Sequence, residues 1–195
     1  MSRPIPASLD DVRLSSSTTV KKYRELEETE NKGRKQIAKF VYERFRERYL
    51  DPALSARTKS GFALMAINCL MIESLVSFRQ GMTHTRGKLS EAAFCFFFDQ
   101  EDTFADFRGH AHDFYVNVRC GILHQAETTG GWLIHLKKDN VLFDTERKIV
   151  NAKEFTQRLA GCLENYRAEL ESSNWDDEIW KNFQKKMKAI IKNCE

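Results

Sequence analysis

The stretch KSGFALMAINCLMIESLVSFRQG, residues 59–81, is apolar nearly all round a helical wheel. A helix with a single oily stripe can lie at the edge of a fold. One of this kind has to be surrounded, so the chain is predicted to build further helices about it. Asn68, Glu73, Ser74 and Ser77 interrupt the run from Phe62 to Phe78, which makes it too polar and too short for a membrane span.

The surrounding helices can be read from period and punctuation. From Val20 to Tyr49, Ile37, Phe40, Val41 and Phe45 recur at three- and four-residue spacing among charged residues. Gly33 divides this stretch in two, and Asp51-Pro52 is expected to end it, because a residue before proline avoids the helical region. LSEAAFCFFFDQ follows the central stretch, with Ser90 as the expected N-cap. Phe94, Phe96, Phe97 and Phe98 read as core or as a seam between subunits, since three consecutive phenylalanines cannot all face inward. Another helix is expected from about His110 to Glu127. After it, GWLIHLKKDNVLFDTERKIVN is rich in β-branched and aromatic residues, and Lys-Lys-Asp-Asn offers a turn, so a small β-hairpin or meander is predicted. Helix resumes at Asn151, with Glu154 at capping-box spacing. The last helix begins after Asn174, acidic at its start and basic at its end, and FQKKMKAIIKN reads as its solvated face. Residues 1–19 are Ser/Pro-rich and expected to be a flexible arm, leaving 20–195 as one mostly α domain.

The charge balance narrows the function. Lys and Arg total 31 against 28 Asp and Glu, a net charge of +3, so a broad basic nucleic-acid face is excluded and any RNA contact is local. Five scattered cysteines form no CxxC pair, which points to a reducing compartment. The first residues lack the apolar run of a signal peptide, and a cytoplasmic setting is expected.

Chemistry-bearing patterns are few. His110 and His112 diverge by about 200° on a helix and find no ligand at the right spacing, so no metal is expected. No phosphate-binding glycine loop or nucleophile elbow is present. Cys120 and His124 share a helical face, but a thiol amid Val118, Ile122 and Leu123 reads as inert. Arg119 and His124 remain. The same Arg-x4-His spacing occurs at Arg79 and His84, so spacing alone proves nothing. Context separates the two: Arg79 to His84 runs through glycines, whereas Arg119 and His124 sit on an apolar helix. There a charge must find a partner, solvent or a ligand. On an ideal helix the pair is separated by about 140° and about 7.5 Å along the axis, so one copy does not aim both at one point. A second copy across a two-fold axis would complete a cluster of two arginines and two histidines. Histidine can carry a proton near neutrality, and guanidinium can stabilise a phosphate in transit.

FYVNVRCGILHQAETTGGW, residues 114–132, resembles the signature helix of the HEPN superfamily (higher eukaryotes and prokaryotes nucleotide-binding domain), in its bacterial Arg-x4-His form. The resemblance implies a usually dimeric helical bundle and, in many members, a metal-independent endoribonuclease of toxin–antitoxin, CRISPR-associated or phage-defence systems. RNA would be cut by its own 2′-hydroxyl, leaving a cyclic phosphate. Arg119 and His124 are the positions that would carry catalysis, with no cofactor. Glu73 resembles an acidic residue that some members place opposite the motif; the alternative is a simple salt bridge to a neighbour. Many active members carry a polar residue, often Asn, directly after the arginine. Here Cys120 stands there, and Asn117, two positions before the arginine, is the supporting candidate. The expected partners are RNA, a second copy of the chain, and an antitoxin or nucleotidyltransferase, with no membrane. The second reading is a non-catalytic HEPN module for dimerisation and for binding a nucleotide or protein partner.

Overall fold

The computed structural model describes residues 6–55, 60–137 and 140–195, apart from the side chain of residue 30. The chain is mostly helical, with one small three-stranded sheet. Helix α1 (Val20–Glu28) starts at Thr19, whose hydroxyl accepts from the Lys22 amide at 3.3 Å. It ends in a left-handed turn at Asn31, Lys32 and Gly33, the break that Gly33 predicts.

Helix α2 occupies residues 34–55 and corrects one expectation. It does not stop at Asp51-Pro52. An α segment, Arg34–Phe45, opens into a π-turn, Arg46–Leu50, and then continues as Asp51–Ser55. Proline has no N–H and presses on the carbonyl four residues back; a wider turn just before it relieves that clash.

Helix α3 (Gly61–Arg79) is the central element, capped by the Ser60 hydroxyl, and packs against the elements on every side. The expectation that this stretch is too polar and too short for a membrane span is corrected: by length and composition it could cross one, yet 56% of its apolar window is buried within the protein. Asn68 in that window is hydrogen-bonded to Thr156 at 3.0 Å. Helix α4 (Lys88–Gln100) begins after Gly87, so Ser90 lies inside the helix and is buried instead of capping it. Phe94, Phe97 and Phe98 turn inward, while Phe96 is only half-buried, as three successive rings require. The 3-10 segment Asp102–His110 leads into helix α5, residues 111–125. Phe98, Phe107, Phe143 and Trp132 form a column of rings, with Trp132 stacked on Phe143 at 5.0 Å.

Strands β1 (Leu133–His135), β2 (Phe143–Asp144) and β3 (Ile149–Asn151) have the order β1-β3-β2, with β1 parallel and β2 antiparallel to β3. The expected turn at Lys-Lys-Asp-Asn is therefore not the hairpin turn; its Lys138 and Asp139 lie outside the described residues. The hairpin closes at residues 145–148. There Asp144 accepts from the Arg147 amide at 3.0 Å and Lys148 takes a left-handed φ of 55°. Such an aspartate-anchored turn needs no glycine.

Helix α6 (Ala152–Ser172) starts as expected at Asn151, whose side chain accepts from the Lys153 and Glu154 amides. Helix α7 (Glu178–Lys192) buries Trp180, Phe183, Met187 and Ile191 and exposes Lys185, Lys188 and Lys192. One hydrophobic cluster extends from Leu14 to Ile191. Its first member departs from the expectation of a flexible arm over 1–19: Leu14, Ser15 and Thr18 are buried, and Leu14 bonds to Thr18 across a small loop at 2.8 Å. Glu47 and Glu43 tie down Ser16 and Ser17, so the serines act as anchors.

Candidate functional site

Helix α5 is not a regular helix. Ala111–Phe114 is α, Tyr115–Cys120 is a π-turn, and Gly121–Gln125 is α again. Residues in a π-turn advance by less than 100° each. The wide turn ends at Cys120, so part of the roughly 140° expected between Arg119 and His124 is closed.

Arg119 lies within this π-turn. Its Nε donates to the Glu73 carboxylate on α3 at 2.8 Å, and both side chains are largely buried, 16% and 10% exposed. Burial works against the Arg119 charge, but the Glu73 carboxylate outweighs it and holds the guanidinium above its ordinary pKa. The remaining nitrogens are less committed. One approaches Cys120 Sγ at 3.9 Å, and the guanidinium lies 5.5 Å from the centre of the Tyr115 ring. His124, by contrast, is exposed on the last turn, and no bond joins it to Arg119 in the same copy. Glu73 and Arg119 are thus brought together, while His124 stands apart. Val116 and Leu123, 42% and 40% exposed, flank Arg119 one turn before and one turn after it. Leu70, 45% exposed, is one turn from Glu73. The apolar surface beside the pair is open.

Asn117 has a different job from that expected of a partner to Arg119. It donates to the Asp113 carboxylate at 2.7 Å and accepts from the Thr129 hydroxyl at 2.8 Å. The loop after α5 folds back along the helix on this anchor, and a Cβ on Gly130 would meet Asn117 at 2.5 Å. Gly121 serves the same return: a Cβ there would sit 2.5 Å from the Glu127 carbonyl oxygen. Asp113 is the hub, also accepting from Trp132 Nε1 at 3.0 Å and from Lys148 Nζ at 2.8 Å. Sequence reasoning passed over Asp113, Gly121 and Lys148. The available signal was a glycine inside an apolar helix, which marks a close backbone approach.

The Lys148 ammonium, above all, lowers the Asp113 pKa, and the Trp132 N–H adds to the effect. A depressed folded-state value means that the stabilisation is present above the ordinary carboxylate range and is lost as pH falls through the folded value. Asp113→Asn is therefore expected to melt below wild type at pH 7, with the gap beginning to close below about pH 4 and vanishing only once the pH is under the lowered folded-state pKa. A gap independent of pH in thermal melts would remove the ion pair as its cause.

The remaining candidates separate. Arg79 makes a two-bond contact with Glu169 at 2.8 and 2.9 Å and stacks on Tyr166, so the second Arg-x4-His match is a packing feature. His112 bonds Glu91 at 2.6 Å, and His110 sits edge-on to Phe143. Among the described residues no three His, Cys, Asp or Glu groups gather as a metal site. The cavity of about 640 Å³ lined by Tyr42, Arg46 and Arg167 contains neither Arg119 nor His124. No family model, curated protein or solved structure matches this chain.

Proposed function

We propose that this chain is a HEPN-type, metal-independent endoribonuclease that works as a homodimer, as the effector of a toxin or phage-defence system. The observation that carries the reading is the Arg119–Glu73 pair: a charge on a buried helix face, fixed through one nitrogen at 2.8 Å, with its outer nitrogens held by no carboxylate. That is an arginine held in position for an anion. The open apolar residues Leu70, Val116 and Leu123 beside it supply a face for a second copy. Dimerisation would bring the exposed His124 of each chain toward a shared cleft. In the reaction, a histidine takes the proton of the RNA 2′-hydroxyl as its oxygen attacks phosphorus. The bond to the 5′-oxygen breaks, the leaving oxygen is protonated, and guanidinium groups stabilise the charge on the phosphorane. The products are a 2′,3′-cyclic phosphate and a 5′-hydroxyl end.

The test is incubation with RNA in excess chelator, with the product ends identified. Cleavage to cyclic phosphates supports the reading; intact RNA across several substrates favours the binding-module alternative, which Cys120 beside Arg119 also suits. The dimer is tested separately. Leu123→Glu is expected to convert a dimer to a monomer in light scattering while retaining helicity, and to abolish cleavage. A fully active monomeric variant would refute the composite cleft.

A further inference from the structure

A second basic site lies away from the Arg119 motif, between α2, α3 and α7. A cavity of about 190 Å³ is lined by Arg44, Arg48 and Lys186, and by the hydroxyl residues Tyr49, Ser74 and Ser77, over an apolar floor that includes Phe78. Among the described residues none of the three cations forms an ion pair. Two acids on their own helix are engaged elsewhere, Glu47 by the Ser16 amide and hydroxyl and Glu43 by the Ser17 hydroxyl, and Glu47 only partly offsets the Arg44 charge from a distance. Arg44 and Arg48 instead donate to one backbone oxygen, that of Leu14, with Arg48 at 3.2 Å.

Like charges gathered in a half-buried cavity without a carboxylate raise each other's energy. Burial, and then Arg48, lower the Arg44 pKa to about 10; burial, and then Arg44, lower that of Lys186. Arg44, at about 10, stays cationic at neutral pH, so the cost of burying it persists there. A dianion would remove it and could also bond to the Tyr49–Ser74 hydroxyl pair, which are 2.8 Å apart. At about 190 Å³ the space suits a small group and does not admit a helix of RNA.

We infer that Arg44, Arg48 and Lys186 form a binding site for a compact phosphate, either inorganic phosphate or the terminal phosphate of a nucleotide. The site is independent of cleavage by Arg119 and His124, so it survives or fails separately from that reading.

The probes are inorganic phosphate and adenosine monophosphate, titrated calorimetrically into the full chain. Saturating phosphate is expected to raise the melting temperature by about 5 °C over sodium chloride of equal ionic strength. Lys186→Gln, whose side chain carries no hydrogen bond or ion pair among the described residues, removes one of the mutually repelling charges, so it is expected to melt at or slightly above wild type without phosphate and to bind phosphate at least about tenfold more weakly. Arg44→Gln should lose binding too, but it also loosens Leu14, so Lys186→Gln is the deciding variant. His124→Ala should bind phosphate as wild type does. Equal affinity for the two probes identifies free phosphate as the ligand; much tighter monophosphate binding identifies a nucleotide end. Chloride matching phosphate, or Lys186→Gln binding as tightly as wild type, overturns the site.

Discussion

Replacing His124 with alanine is expected to slow RNA cleavage in chelator by about 10²–10⁴-fold, the usual contribution of a positioned proton-transfer group. The fold should not notice. His124 is exposed and carries no hydrogen bond or ion pair among the described residues, so the variant should stay within about 0.5 kcal/mol of wild type. This separation makes the experiment decisive, because loss of activity cannot be traced to unfolding. The measurement is the single-turnover rate on a labelled RNA, with circular dichroism melts of both proteins. Equal rates would eliminate His124 as a proton carrier and leave the non-catalytic module as the better account. A variant that is inactive and also melts many degrees lower would show that the residue holds structure that the exposed position does not reveal.

The helical plan was legible because burial imposes a period, and the central helix announced itself by being apolar all round. The sheet was harder. Strands of two or three residues carry too few alternations to fix a register, and the parallel pairing of Leu133 with Ile149 joins residues on either side of the β2 segment. The hairpin turn was misplaced for a related reason: Lys-Lys-Asp-Asn has turn composition, yet the Asp144 side chain organises the later residues. At Pro52 the rule that helices stop before proline failed, and at Arg119 a constant 100° per residue was the wrong ruler, because both helices contain a π-turn. No propensity scale marks such a turn; one directly precedes Asp51-Pro52, and in the other the Asn117 carbonyl accepts from the Thr129 amide of the returning loop at 3.0 Å.

Within the site, the rule that a charge on an apolar helix needs a partner marked Arg119, whereas Glu73 was marked only by the resemblance, as an acid opposite the motif or a salt bridge to some neighbour. The 46-residue separation of the two is closed only by the packing of α5 on α3. Asn117 shows the opposite limit. It was singled out for its nearness to Arg119 in sequence, but its side chain is spent on Asp113 and Thr129, contacts that no helical wheel contains.

The Glu73–Arg119 contact is itself open to a direct measurement. Glu73→Ala and Arg119→Ala each leave one largely buried charge without its counter-ion, and each is expected to cost about 3–5 kcal/mol in urea unfolding. The double variant removes both charges, so it should be less destabilised than the sum, by about 0.5–3 kcal/mol. Additivity within about 0.5 kcal/mol would mean that the two side chains do not depend on each other, and Glu73 would no longer account for the placement of Arg119. Glu73→Gln divides the role further. Its amide oxygen can still accept from Arg119 Nε, so the guanidinium keeps its place while losing the neutralising carboxylate. If Glu73 acts by positioning, this variant retains cleavage within about tenfold, or about 1.4 kcal/mol in the barrier, whereas Glu73→Ala does not. If the carboxylate instead takes part in proton transfer, the glutamine variant should be as inactive as the alanine one. The ratio of those two rates therefore assigns Glu73 to one role or the other, independently of how much stability each variant has lost.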